Sequence, residues 1–309
     1  MSKSEFNWRQ DIRKNRAGYL LIAPAVLGIL LLSVYPLARG IYISFLNYDM
    51  TKAASKSFGT FAGLGNYIKV FASSIFQKSL WNTAVWTVVN LVFQVIFALI
   101  AALVLNESFH GRSVARTCAM IPWAIPSAVS ALVFSAVFDT NIGVVNVVLQ
   151  ALHIIDSPVA WLGNISTAMP TVIVANIWKS TPFLMIFILA ALQGVSPDMY
   201  ESAAIDGAGK IKRFLSITMP SIKEPMAVAV ILNAISILNN FNAVWLLTMG
   251  GPLYSTEIMY THAYRLAFIE YKFGNSAAVS TMLFLIIVVL TLVYIKMISD
   301  DEPKKRRKA

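Results

Sequence analysis

The sequence predicts an all-α polytopic membrane protein with six transmembrane helices, and three observations predict it. The 309 residues are 57% hydrophobic and only 13% charged, with a mean hydropathy of +0.67, whereas a soluble domain carries about 25% charged residues. Six stretches, 19–37, 84–105, 118–138, 171–192, 226–249 and 277–298, come close to or exceed the roughly 20 mainly apolar residues that a spanning helix needs. None alternates apolar and polar residues as the strands of a membrane β-barrel do. Lysine and arginine gather at the two ends of the chain and in the second and fourth connections, while 139–170 holds none.

The elements follow in order. Residues 1–18 are polar and basic, carrying Lys3, Arg9, Arg13, Lys14 and Arg16. The apolar run after them is too long for a signal peptide and lacks an Ala-x-Ala site, so it is expected to stay as an anchor. An outer loop then carries Gly63-Leu64-Gly65-Asn66-Tyr67, a glycine-rich turn followed by an aromatic residue. In the second span Thr83, Thr87, Asn90 and Gln94 form a stripe at helical spacing, which reads as adhesive between helices. The third span, 118–138, precedes a shorter apolar run, 142–155, that contains Asn146 and Gln150 and is read as interfacial or re-entrant on the outer side. Asn176, Ser180 and Phe183 share one face of the fourth span, and Asn233, Ser236 and Asn240 a narrow sector of the fifth. Gly250, Gly251 and Pro252 break the fifth helix at its exit. The sixth span leads into a tail, 299–309, with Lys304, Lys305, Arg306, Arg307 and Lys308.

The net charge of +10 is read from its placement. Basic residues favour the cytoplasmic side, so both termini are expected there. The tail reads as an anchor on anionic membrane lipid and no nucleic-acid partner is expected, since no aromatic residues interleave the charges. A reporter active only in the cytoplasm is expected to be active when fused after Ala309 and silent when placed within 157–164; the opposite pattern would overturn the six-span, both-ends-in arrangement.

Between the fourth and fifth spans lies a charged, glycine-punctuated loop. Ser196, Pro197 and Asp198 supply an N-cap, a first-turn proline and an acid at the positive helix end, so a short helix starts there. Gly207 and Gly209 suit its stop, because glycine enters the left-handed region without a Cβ penalty. Ala203, Ala204 and Ala208 leave its surface slim enough to lie in a groove on a partner. The stretch Tyr200 to Pro220 closely resembles the cytoplasmic coupling loop of ABC importer permeases: Glu201, Ala203, Gly207, Ile217 and Pro220 fill the pattern, while Ser202 and Met219 depart from it within the same size class. The Gly-Leu-x-Asn-Tyr turn, the Leu247 to Pro252 exit, and Asn176-Ile177-Trp178-Lys179 with Pro182-Phe183 are similar to motifs of the carbohydrate, maltose-type permeases. The resemblance runs from about residue 19 to 298.

That resemblance implies a type I ABC importer permease fold in one transmembrane domain, 19–298, with a permease core of about 77–298. It implies two ATP-binding subunits, one docked on the loop formed by Glu201, Ala203, Ala204, Asp206, Gly207, Ala208, Ile217 and Pro220. A second permease chain and an extracytoplasmic sugar-binding protein are implied too. The substrate contacts it implies are Asn176, Phe183 and Asn240, with Ser180 and Asn233 beside them. Amides match sugar hydroxyls and an aromatic ring matches the apolar sugar face. A Trp-Lys pair is common in related sugar permeases, so Lys179 reads as a structural or snorkelling cation and implies no acidic substrate. Arg39 and Arg265 read as interfacial.

Other functions find little support. Cys118 is the only cysteine, His110, His153 and His262 are scattered, and no metal or other cofactor is expected. Gly207-Ala208-Gly209-Lys210 fails the phosphate-loop pattern, with Ala204 and Ile211 where Gly and Ser/Thr are required. A membrane enzyme would need paired carboxylates or a nucleophile with its base inside the spans. No internal repeat favours an inverted-repeat carrier. The same architecture carrying a glycerophosphodiester or a polyamine is the alternative, and the amide faces favour sugar.

Overall fold

The computed structural model describes residues 16–301, with side chains as far as Lys296. The basic residues before Arg16 and those after Pro303 lie outside the described residues. Among the described residues five helices are long and apolar enough to span a membrane, and a bent pair raises the number to six. The order is α1 Arg16–Ser44, α2 Gly65–Ala72, α3 Ser74–Asn106, α4 Arg112–Ala124, α5 Ser127–Val137, α6 Val144–Ala151, α7 Ile165–Gln193 and α8 Pro197–Ile205. Then come α9 Lys210–Arg213, α10 Met219–Leu238, α11 Phe241–Thr248, α12 Met259–Phe268 and α13 Phe273–Asp301. No strand occurs among the described residues.

Two expected spans differ from straight rods. Residues 118–138 form α4 and α5, which meet at 91°. Pro126 has no N–H and forces Ile125 out of the helical region, to φ −69 and ψ 132, so the break falls between them. The fifth span is interrupted at Asn239 and Asn240, where the Asn240 side-chain Oδ1 caps α11 by accepting from Ala243 N at 3.2 Å. The second span also starts earlier than expected, at Ser74. Its polar first turns reach the segment after α11: exposed Lys78 and buried Asn82 donate to carbonyls of Leu253, Tyr254 and Glu257, and buried Thr83 accepts from Met259 N.

The core lies along one stripe of α3. Trp86, Asn90, Gln94, Ala98, Ala102 and Leu105 are all buried, nearly one per turn. Ala98 and Ala102 allow α7 to approach closely, and Leu184, Ile188 and Leu192 of α7 and Ile222 of α10 close that half. Trp86, Val172, Ile237 and Val244 form a second apolar cluster at the other end. The two amides of the stripe are held between these clusters.

By contrast, the first span packs against none of this: the apolar window of α1 is 0% buried. Only its end is tied down. Gly63 (φ +55) turns the chain so that Asn66, buried, donates to the Ser44 and Leu46 carbonyls at 2.8 and 2.7 Å. Tyr67 OH lies 2.7 Å from Ser44 Oγ. The glycine-rich turn therefore satisfies the carbonyls that a helix end leaves orphaned.

The exit of α11 folds over a buried ion pair. Glu257 is 0% exposed and accepts from Arg265 Nε and a terminal nitrogen, each at 3.0 Å. These hydrogen bonds hold the Arg265 guanidinium proton above its ordinary range. Arg265 also donates to Met249 O and sits over the rings of Trp245 and Tyr254. It is a structural centre of this exit.

Candidate functional site

Three helices bring their amides together in the middle of the core. Asn240 Nδ2 donates to Asn176 Oδ1 at 2.7 Å, and Asn176 Nδ2 donates to Asn90 Oδ1 at 2.7 Å. From the other side Asn233 Nδ2 donates to Gln94 Oε1 at 2.8 Å, and Gln94 Nε2 to Asn90 Oδ1 at 3.2 Å. Ser180 Oγ adds a bond to Asn176 Oδ1 at 3.2 Å. The stripe on α3, read from sequence as adhesive, and the amides read as substrate contacts are thus one continuous ladder. Each such interhelical bond contributes on the order of 0.6 kcal/mol in a membrane, so the ladder orients side chains more than it stabilises the bundle.

The sequence-expected contacts are not all in one place. Asn176 and Asn240 line a small cavity of about 30 Å³, together with Ser127, Ser130, Phe134, Lys179 and Leu247. Asn233, as buried as Asn176, faces Gln94 instead. Ser180 and Phe183 are half-buried beside the cavity, and Phe183 stacks on Trp123 with ring centres 6.1 Å apart. A cavity of about 30 Å³ is far too small for a sugar ring, since ligand pockets run to several hundred Å³. A larger cleft of about 950 Å³ opens between α3, α4 and α7, lined by Val85, Phe93, Phe97, Met169, Trp178 and Met185 among others. Its walls are almost wholly apolar and offer little to a hydroxyl.

Of two further polar features of the cavity, Ser130 was not recognised in the sequence and Lys179 was. Ser130 Oγ is buried without a hydrogen-bond partner and lines the cavity. In the sequence it is one of many serines in an apolar run. Lys179 sits at the middle of α7, far from either end for a side chain to snorkel, and its ammonium donates to Ile125 O. That carbonyl belongs to the C-terminal end of α4, freed by the Pro126 break, where a cation meets the negative helix end. Of the two roles read for Lys179, the structural one is observed.

The connecting loop is built as its residues dictate. α8 starts after Ser196, with Pro197 in its first turn and Asp198 beside the positive end. It ends at Gly207, φ +76, with Gly207 N donating to Ala204 O at 3.1 Å and Ala208 N to Ala203 O at 2.8 Å, the paired bonds of a Schellman motif. Gly209 instead precedes α9, at φ −65. Glu201, Ala204, Asp206, Gly207 and Pro220 are exposed, and Ala203, Ala208 and Ile217 half-buried. Ile205 and Ile211 are 87% and 78% exposed. The loop is moored to the span through Tyr200 OH, 3.0 Å from Thr218 Oγ1.

Known proteins share this arrangement. Residues 94–299 match the family model described as binding-protein-dependent transport system inner membrane component. The trehalose/maltose transport system permease protein MalF of Thermococcus litoralis is 36% identical over 92% of this chain and 94% of its own. The sulfoquinovosyl glycerol transport system permease protein SmoG of Agrobacterium fabrum is 34% identical over 94% of this chain and 93% of its own. A chain of a bacterial ABC transporter involved in the import of the acidic polysaccharide alginate superposes with a TM-score of 0.80, over 93% of this chain and 96% of that one, at 24% identity, which establishes the type I importer permease fold. Matched by this family model over residues 94–299 and by a relative 36% identical along nearly the full length, this chain belongs to the family of binding-protein-dependent transport system inner membrane components.

Proposed function

We propose that this chain is a permease subunit of an ABC importer that carries a sugar or oligosaccharide across the cytoplasmic membrane. The observation that carries this reading is the pair Asn176 and Asn240, brought from two spans to one cavity at a helix break. Sugar-transporting relatives of the same length support it. Asn176 and Asn240 form the substrate face, with Ser127 and Ser130 added to it, while Ser180 supports Asn176, and Phe183 and Asn233 stand outside the cavity. The hydroxyls and amides would meet sugar oxygens once the cavity opens. ATP hydrolysis belongs to two partner subunits, one of which docks on α8 through its exposed apolar residues. The unburied α1 has room for a second permease chain along its length. A binding protein delivers the sugar from outside, and both termini lie in the cytoplasm.

Asn240→Leu tests the site. The substitution removes one hydrogen bond to the sugar, worth about 1 kcal/mol, so the half-saturation concentration for radiolabelled maltose or trehalose is expected to rise about fivefold. Asn240→Asp keeps the cap on α11 and controls for its loss. A purified Asn240→Leu complex with unchanged uptake would show that the face is wrongly assigned.

A further inference from the structure

The two arms of the amide ladder end on one atom. Asn240 donates to Asn176 and Asn176 to Asn90; Asn233 donates to Gln94 and Gln94 to Asn90. The nitrogen of Asn90 is itself held on the Trp86 carbonyl, one turn back, at 2.8 Å. That last bond sets the polarity of everything before it. With its NH2 on a backbone carbonyl, Asn90 presents only its oxygen to α7, so Asn176 must turn its nitrogen inward and its oxygen toward Asn240 and Ser180. The same oxygen fixes Gln94, whose own oxygen then receives Asn233.

We propose that Asn90 and Gln94 are positioning residues of the substrate site, deciding which end of each amide is offered to the sugar without touching it. Both are fully buried and neither lines the cavity, whereas Asn176 and Asn240 do. The proposal rests on the assignment of Asn176 and Asn240 as sugar contacts. Adhesion between α3 and α7 would not require it: Trp86 on one side of the ladder and Ala98 and Ala102 on the other already supply apolar contact. A common acceptor of fixed polarity is instead what selectivity requires. A sugar hydroxyl can donate or accept, and an amide turned end for end fits a different hydroxyl arrangement.

The test uses the whole transporter, purified with its partner subunits and reconstituted in vesicles, with radiolabelled maltose and trehalose as probes. Asn90→Leu frees Asn176 to turn, and the half-saturation concentration is expected to rise about tenfold while maximal rate and basal ATPase activity stay within about twofold. In so apolar a place Asn90→Asp stays protonated, matches the amide in shape and keeps its acceptor. It is expected to restore half-saturation to within about threefold of the unmodified complex. Gln94→Met keeps the length and removes the second arm, with an expected rise of about threefold. Wild-type half-saturation in Asn90→Leu or in Gln94→Met, or a rise that Asn90→Asp does not reverse, overturns the proposal. Should Asn90→Leu fail to assemble, Gln94→Met and Asn90→Asp decide it by the same criteria. If Asn240→Leu raises half-saturation and these variants do not, the site stands and the positioning role falls. If Asn240→Leu is also silent, or the unmodified complex takes up neither sugar, the site reading falls and this proposal with it.

Discussion

Gly207→Val is expected to abolish uptake while leaving the membrane spans folded. Gly207 stands at φ +76 as the left-handed residue that ends α8. A β-branched residue there costs on the order of 1–3 kcal/mol, more than a short exposed helix holds in reserve. No atom lies within 4 Å of the position a Cβ would take, so the whole effect is backbone strain. Gly207→Asn is therefore the control, because asparagine tolerates this conformation. Once the turn opens, Ala203 and Ala204 lose the amides bonded to their carbonyls, and the last turn of α8 with exposed Ile205 changes direction. A partner that pulls on this helix then has no fixed lever.

Glu201→Lys probes the same contact from the other side. Glu201 is exposed and its carboxylate has no hydrogen-bond partner among the described residues, so its replacement costs this chain little. Any loss reports on a partner that expects an anion. Co-purification of the ATPase subunits, substrate-stimulated ATP hydrolysis and uptake are the measurements. Loss of association or of stimulation is expected for Gly207→Val and Glu201→Lys, with uptake abolished, and near-normal behaviour for Gly207→Asn. A Gly207→Val, Glu201→Lys double variant that keeps all three activities would remove the loop from the coupling path.

Much of this loop was legible in the sequence, since caps, first-turn prolines and left-handed glycines act within a few residues of one another. The same holds for the break in α4 and α5 in principle: Pro126 marks it, yet a hydropathy run of 118–138 reads through a proline as though it were one rod. The 91° bend depends on what α5 packs against, chiefly α11, and no local pattern encodes that. The amide stripes were visible on three helices by spacing alone. Their polarity was not, because whether Asn90 faces Asn176 is a matter of relative height between α3 and α7. Lys179 offered two readings that differ only in where Ile125 lies. Glu257 gave no signal at all, being one acid in an outer loop whose partner, Arg265, lies two turns further on.

Gly250→Ala is expected to be strongly destabilising, and the reason lies in Glu257 rather than in helix termination. Gly250 has φ +83, and a Cβ built on it would lie 1.7 Å from Glu257 Oε2 and 2.9 Å from its Cδ. A carboxylate at the end of a free side chain would move aside. This one is 0% exposed and held on two nitrogens of Arg265, while Asn82 holds its backbone carbonyl. Relieving the clash means parting a buried ion pair, which costs about 3–5 kcal/mol when one charge is left unpaired. Release of Arg265 would also free the Met249 carbonyl and the ring contacts with Trp245 and Tyr254, so the exit of α11 should lose its order as a unit. The measurement is the thermal stability and yield of the detergent-purified complex for Gly250→Ala, Glu257→Ala and the double variant. Both single variants should be strongly destabilised, and the double variant should be little worse than Glu257→Ala, because the space the new methyl needs has been vacated and only the φ strain remains. Additive losses would mean that the methyl and the carboxylate do not compete for one place, and a stable Gly250→Ala complex would mean that the ion pair does not close over this glycine.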